Sequence, residues 1–86
     1  MNWQLFLARS VDKNLRRLPA SDRRRIETAL KQLSRDPYRS HVKRLKPGST
    51  EYSMRVGSYR ILFDVIPQYR LVSVAAIVRR SDTTYG

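Results

Sequence analysis

Two alternating segments joined by Gly57-Ser58 constrain the fold more than any other part of the sequence. Apolar and polar residues alternate with period two over residues 52–56 and again over residues 59–65, which is typical of strands with one buried face. A two-residue connection that begins with glycine is typical of a tight turn between antiparallel strands. The sequence therefore predicts a β-hairpin in the second half of the chain.

Parity separates the two faces of this hairpin, because successive side chains of a strand point to opposite sides. One face collects the apolar and aromatic residues Tyr52, Met54, Val56, Tyr59, Ile61, Phe63 and Val65. We expect a helical layer to cover that face. Arg55 and Arg60 then become neighbours on the opposite side of the sheet.

The N-terminal half predicts one strand and two helices. Residues 3–7 alternate like a strand with one face fully buried and the other partly buried, and Ser10 is a candidate helix cap. Helical spacing follows up to Pro19, where a second helix begins and runs to Asp36-Pro37. Its apolar stripe consists of Ile26, Ala29, Leu30 and Leu33. We expect the two helices to form a hairpin that lies on the sheet.

The remaining segments complete an α+β fold, which we expect to be a single domain over residues 1–86. Residues 37–50 are basic and contain proline and glycine residues, which interrupt helices and strands. We therefore interpret them as an exposed connecting loop. Residues 71–78 form a nearly continuous apolar run, which is typical of a central strand covered on both faces. A chain of 86 residues has room for one modest core.

The charge balance limits the class of partner. Lysine and arginine number 18 against 7 aspartate and glutamate residues, which gives a formal net charge of +11. Most of these cations are arginines, whose planar guanidinium matches phosphate or carboxylate. We therefore expect nucleic acid or an acidic protein as the partner. The chain lacks cysteine, and it shows neither a signal peptide nor an apolar run of membrane length, so we expect it to be complete and cytoplasmic.

Few residues of this chain can carry catalysis on their own. Without cysteine, and with His41 interpreted as a solvated loop residue, no nucleophilic triad is supported. The carboxylates are dispersed along the chain, so we expect no metal and no other cofactor. RNA carries its own nucleophile, because its 2′-hydroxyl attacks the adjacent phosphate once the nucleotide is held in line and the developing charge is neutralised.

Arginines and one tyrosine are the candidate residues for such a reaction. Arg55 and Arg60, together with Arg79 or Arg80, would clamp the phosphate, and Tyr85 would transfer a proton or stack on a base. The general base is the weak point of this hypothesis, since arginine scarcely loses its proton and a phenol has an ordinary pKa of about 10. The alternative is that these cations form only a solvated basic face.

Parity also decides which of the two late arginines joins this surface. Arg79 and Arg80 alternate, so only one of them lies on the side of Arg55 and Arg60. Arg80 has the same parity as Val72, Val74 and Val78. This grouping favours Arg80 as the arginine on that side. Arg79 is then expected to face the helical layer or to turn outward at the end of the strand.

Three stretches of the sequence together form a pattern that is specific enough to compare with known families. They are Lys43-Arg44-Leu45-Lys46-Pro47-Gly48, the hairpin segment from Tyr52 to Val65, and Arg79-Arg80-Ser81-Asp82. In residues and in order they resemble the RelE/ParE toxin superfamily, and the resemblance spans nearly the whole chain. It implies an N-terminal strand and helical hairpin packed on one face of a curved antiparallel sheet, in the order β-α-α-β-β-β.

The resemblance also implies roles for single residues. Arg60 matches the strand arginine that contacts the scissile phosphate, and Arg55 matches a basic position on the preceding strand. Arg79 or Arg80 matches the basic residue after the last strand. Contacts with RNA or the ribosome would fall to Lys43, Arg44, Lys46, Arg23 and Arg24.

Two positions depart from the family pattern or leave it ambiguous. The family tyrosine corresponds to Tyr85, or to Thr84 if the alignment is made without a gap. Ser53 stands where ribonuclease members can carry a second lysine. The implied activity is cleavage of messenger RNA on the ribosome by the toxin of a type II toxin–antitoxin system. The alternative is a non-nuclease, either a ParE-like inhibitor of DNA gyrase or a decayed toxin that only binds its antitoxin.

The expected partner is the same in both cases. An acidic antitoxin would complement the net charge of +11 and would wrap the sheet and the helices with its C-terminal segment. We expect a toxin–antitoxin hetero-oligomer without a membrane partner.

Overall fold

The computed structural model describes residues 2–39 and 41–79. Two helices and five strands follow one another along this part of the chain, with a short 3-10 helix before the last strand. In chain order they are β1 (Gln4–Leu7), α1 (Arg9–Arg17), α2 (Ala20–Arg35), β2 (Val42–Arg44), β3 (Glu51–Val56), β4 (Tyr59–Ile66), the 3-10 helix Pro67–Tyr69 and β5 (Leu71–Arg79). The predicted α+β class, with a helical hairpin packed on a sheet, is confirmed.

The strands form one sheet in the order β1-β5-β4-β3-β2. Strands β2 to β5 pair antiparallel with their neighbours, whereas β1 pairs parallel with β5, so the sheet is mixed. The interpretation of residues 37–50 as a loop was wrong for Val42–Arg44, which pairs with Tyr52–Met54 of β3. A strand of three residues is too short to show a period of two in its sequence.

Both helices lie on the same side of the sheet, with α1 packed on β5 and α2 packed on β1 and β3. Pro19 and Asp36 flank α2 as predicted. Ser10 is not the cap of α1, because that helix begins at Arg9 and its N-cap residue is Ala8, which makes no side-chain capping bond. Neither helix in the described part of the chain is long and apolar enough to cross a bilayer.

The core lies between the helices and one face of the sheet. The helices contribute Val11, Leu15, Ile26, Ala29, Leu30 and Leu33, and the hairpin contributes Tyr52, Met54, Val56, Tyr59, Ile61, Phe63 and Val65. The parity argument for the hairpin is therefore confirmed, and Tyr52 and Tyr59 are core aromatics. We call the other side of the sheet, which carries Phe6, Lys43, Ser53, Arg55, Arg60, Leu62 and Val78, the open face.

Strand β1 is less buried than its alternation predicted. Leu5 and Leu7 are only partly buried against the core, and Phe6 is 59% exposed on the open face. The expectation of one fully buried and one partly buried face was wrong. The reason is that β1 is an edge strand with a single partner, β5.

Strand β5 contains an irregularity that changes its parity. Leu62 of β4 pairs with Ala76 whereas Phe63 pairs with Val74, so Ala75 is an extra residue in β5. Val72 and Val74 are fully buried, but Val78 pairs with Arg60 and is 39% exposed. Grouping Val78 with the two earlier valines was therefore wrong. Strand β5 is interior, between β1 and β4, but it is covered on one face and not on both.

Candidate functional site

Two arginines lie side by side on the open face at the tip of the β3–β4 hairpin. Arg55 and Arg60 are direct cross-strand partners, and both are exposed. Gly57 turns the chain between them with a φ of +57°, a left-handed conformation that glycine adopts without steric cost. Within residues 2–39 and 41–79, neither guanidinium forms an ion pair. Their mutual repulsion favours a shared anionic ligand.

A cavity of about 440 Å³ adjoins this arginine pair. It is lined by His41, Val42, Lys43, Leu45, Ser53, Arg55 and Arg60. No carboxylate of the described residues lines it, so its charged groups are Lys43, Arg55 and Arg60. Ser53 is buried although it points to the open face. The cavity is thus a positively charged recess that suits a phosphate group.

The basic surface continues around the edge of the sheet toward α2. An open groove of about 480 Å³ between α2 and the end of β3 is lined by Arg24, Arg25, Thr28, Ala29, Gln32, His41, Met54, Arg55 and Val56. His41 and Arg55 line both the groove and the first cavity. Val42 of β2 pairs with Met54, and the N–H of Arg55 donates a further hydrogen bond to the carbonyl of His41, where the described hydrogen bonds along this edge of β3 end. A chain of phosphates has room to run from the open face onto α2.

Arg79 lies on the opposite side of the sheet from this pair. It is the cross-strand partner of Tyr59, and its guanidinium carbon is 5.7 Å from the centre of the Tyr59 ring. The Tyr59 hydroxyl donates a hydrogen bond of 3.0 Å to the Asp22 carboxylate of α2. Burial raises the pKa of the Tyr59 phenol, and this hydrogen bond raises it further. Arg79 therefore stacks on a protonated core tyrosine and does not join Arg55 and Arg60.

The predicted third arginine, Arg80, and the two candidates for the family tyrosine position, Tyr85 and Thr84, lie outside the described residues. In the described part of β5, the residue that faces Arg60 across the strands is Val78, an apolar side chain. The described site is therefore a pair of arginines with Lys43, Ser53 and His41 around it.

His41 is exposed in a turn, as expected for a solvated loop residue, but sequence reasoning did not predict that it lies beside the arginine pair. This residue lines both the cavity and the groove, as Arg55 does. Its carbonyl accepts a hydrogen bond of 3.2 Å from the backbone N–H of Arg55. The contact depends on the pairing of β2 with β3, for which the sequence carries no local signal.

Comparison with known families decides the class of this protein. The model of the ParE toxin family, described as the ParE toxin of the type II toxin–antitoxin system parDE, matches residues 5–83. The chain belongs to this toxin family. A Methanocaldococcus jannaschii protein named as toxin RelE1 is 26% identical to the toxin over 83 residues, which cover 93% of this chain and 92% of that protein.

Solved structures share the fold of the toxin. The archaeal RelE–RelB complex from Pyrococcus horikoshii OT3 matches with a TM-score of 0.86 and 23% identity, covering 96% of this chain and 100% of that chain. The isolated E. coli RelE toxin matches with a TM-score of 0.79 and 18% identity, covering 94% of this chain and 87% of that chain. The fold of the toxin is therefore that of RelE.

The other cations predicted to bind RNA or the ribosome lie in different places on the toxin. Lys43 lines the recess on the open face, whereas Arg24 lines the groove beside α2. Arg44 is engaged with a core residue, because its Nε and Nη2 donate hydrogen bonds of 3.1 and 2.9 Å to the Tyr52 hydroxyl. Lys46 is exposed, and Arg23 is half-buried. Lys43 and Arg24 are thus the two of this set that adjoin the Arg55–Arg60 pair.

The described part of the toxin contains no cluster of metal-ligating side chains. Among residues 2–39 and 41–79, no three histidine or carboxylate side chains gather closely enough to hold one. The side chains of the arrangement described above carry guanidinium, ammonium, hydroxyl and imidazole groups.

Proposed function

We propose that this toxin is a RelE-like endoribonuclease that cleaves messenger RNA on the ribosome. The observation that carries the proposal is the cross-strand pair of Arg55 and Arg60, exposed on the open face beside a recess of about 440 Å³. Two neighbouring guanidinium groups present enough donors to hold a phosphodiester through several charge-assisted hydrogen bonds. Such a site suits a reaction in which the protein neutralises charge and the RNA supplies the nucleophile.

The reaction begins with the RNA bound so that its 2′-oxygen is in line with the scissile phosphorus. Attack by that oxygen forms a 2′,3′-cyclic phosphate and breaks the bond from phosphorus to the 5′-oxygen of the next nucleotide. Arg55 and Arg60 stabilise the negative charge that develops on the phosphate oxygens. In this proposal Arg80 adds a further cation, whereas Arg79 is held against Tyr59 on the other side of the sheet. Tyr85, or Thr84, assists proton transfer.

The wider basic surface would hold the rest of the RNA and the ribosome. Lys43 continues the recess on the open face, and Arg24 continues the groove on α2. Arg23, Arg44 and Lys46 complete the proposed contact set, with Arg44 limited by its hydrogen bonds to Tyr52. Binding through phosphates would be independent of sequence and sensitive to salt.

A second candidate function follows from the described part of β5. Val78 faces Arg60, and Arg79 stacks on Tyr59 at the other face, so these two positions add no cation to the arginine pair. A ParE-like inhibitor of DNA gyrase, or a decayed toxin that only binds an antitoxin, needs no convergent catalytic set. Membership of the ParE toxin family is compatible with this candidate as well.

Controlled expression separates the two candidates. On induction of the toxin in a bacterial host, we expect protein synthesis to stop and new messenger RNA ends to appear, with plasmid supercoiling unchanged. RNA ends would be mapped after a short induction, and supercoiling would be followed on chloroquine gels. Relaxed or broken DNA with continuing translation would instead identify the gyrase inhibitor. Continued growth with neither change would favour the decayed toxin.

We further propose that an acidic antitoxin covers the arginine surface in a cytoplasmic hetero-oligomer. The relatives from Pyrococcus horikoshii OT3 and Methanococcus jannaschii crystallised as complexes of RelE with RelB. The net charge of +11 on this chain favours a partner of opposite sign. A disordered acidic segment would be suited to wrap both the sheet and the helices.

Salt is expected to weaken that complex. Raising the ionic strength from 0.1 to 1 M shortens the Debye length from about 10 Å to about 3 Å, and we expect the dissociation constant to rise at least about tenfold. Isothermal titration calorimetry of the toxin against its antitoxin, at several sodium chloride concentrations, measures this change. The double variant Arg55→Gln, Arg60→Gln should show a smaller salt dependence. An affinity that does not change with ionic strength would show that electrostatic attraction does not hold the complex together.

A further inference from the structure

We propose that His41 is a catalytic residue of this toxin, the acceptor of the proton that leaves the RNA 2′-hydroxyl. The proposal rests on the ribonuclease function proposed above and assigns the base that the arginine pair cannot supply. Imidazole is the side chain that most readily takes up and releases a proton near neutral pH. His41 is the single histidine of the sequence.

The position of His41 brings it to the proposed scissile phosphate. It lines the recess together with Arg55 and Arg60, and it also lines the groove that leads to α2. The 3.2 Å hydrogen bond from the N–H of Arg55 to the carbonyl of His41 ties the two backbones together at this point. A phosphate held by Arg55 and Arg60 in the recess therefore lies beside His41.

The backbone of His41 is also unusual. Its φ of +71° is in the left-handed region, which residues with a side chain adopt at a cost in free energy. The bond with Arg55 and the start of β2 at Val42 hold it there. Backbone strain of this kind is concentrated at functional sites, where the surrounding structure holds it in place.

The charged groups that line the recess and the groove with His41 are all cations. They are Arg24 and Arg25 from α2, Lys43 from β2, Arg55 from β3 and Arg60 from β4. Among the described residues, no carboxylate lines either the recess or the groove, so no ion pair within them competes for the imidazole. A negatively charged RNA chain would be drawn to this position by the same cations.

The proposed step conserves atoms and charge. A ring nitrogen of neutral His41 accepts the proton of the 2′-hydroxyl while the 2′-oxygen forms its bond to phosphorus. The bond from phosphorus to the 5′-oxygen breaks, and that oxygen takes a proton from water. The imidazolium then releases its proton to solvent, which restores the neutral ring.

The test uses substitutions that are compatible with the positive φ at position 41. His41→Asn keeps a residue type that tolerates positive φ but removes the base. Single-turnover cleavage is measured on ribosomes programmed with the messenger RNA site mapped after induction, and binding is measured with the same RNA carrying a 2′-deoxy nucleotide at the scissile position. We expect His41→Asn to cleave about 100- to 10,000-fold more slowly and to bind the 2′-deoxy RNA as the wild type does. His41→Gly should regain activity when imidazole is added.

The pH profile distinguishes catalysis from a structural role. A base that takes part in the reaction contributes an inflection to the pH dependence of the rate, so the His41→Asn profile should lack an inflection that the wild-type profile shows. If the wild type cleaves and His41→Asn cleaves equally fast, the assignment of His41 is wrong while the ribonuclease function stands. A slow His41→Asn variant with an unchanged pH profile and no rescue of His41→Gly would also overturn it. A wild-type toxin that cleaves no RNA would overturn both proposals.

Discussion

Replacing Arg60 by alanine is expected to lower the rate of messenger RNA cleavage by about 100- to 1,000-fold and to relieve growth inhibition. The reason is that Arg60 shares the open face with Arg55, where it would hold the phosphate as charge develops. The side chain is exposed and lies outside the core, so the melting temperature should stay close to that of the wild type. Single-turnover cleavage and circular dichroism measure the two effects.

Arg17→Ala is the matched control for this prediction. Arg17 is an exposed arginine near the end of α1, on the side of the sheet away from the recess. Both variants lower the net charge of +11 by one, so a difference between them reports on position and not on total charge. Undiminished cleavage by Arg60→Ala would remove this arginine from the site. Equal losses in the two variants would show that only the overall charge matters.

The hairpin was predictable because its alternation is regular on both strands. Period-two spacing predicted that Ile61 and the other alternate residues of the two strands lie under the helices. It also predicted that Arg55 and Arg60 lie together on the other side, and the observed register agrees. Such a pairing can be predicted from the sequence because parity alone assigns each side chain of a regular strand to one face of the sheet.

The last strand was less predictable for a physical reason. Ala75 is an extra residue that reverses the parity after Val74. The run from Leu71 to Val78 is apolar at nearly every position, so either parity would satisfy its pattern. Arg79 was correspondingly hard to place from the sequence, and its stacking on Tyr59 emerged from the register.

The role proposed for His41 could not be read from the sequence either. It depends on a three-residue strand that pairs with residues eight to twelve positions away. Long-range pairing of this kind has no local signature, in contrast to the turn at Gly57. The parallel partnership of β1 with β5 was missed for the same reason.

Ile61→Ala is expected to destabilise the fold by about 2–5 kcal/mol, since deleting a buried aliphatic side chain loses its transfer free energy and leaves a cavity. Ile61 has no exposed surface and lies in the central strand of the sheet. A domain of this size has a total stability of about 5–15 kcal/mol, so the variant should lose a large share of it. Urea denaturation followed by circular dichroism measures the loss.

Leu62→Ala provides the comparison, because Leu62 is the next residue of β4 but is only half-buried, on the open face. Its truncation should shift the urea midpoint much less than that of Ile61. Equal midpoints for the two variants would contradict a core confined to the helical side of the sheet. Arg60 and Ile61 are adjacent in sequence, yet they face opposite sides of one strand. Substitution at the first should therefore lower activity with little change in stability, and substitution at the second should lower stability while leaving both arginine side chains in the sequence.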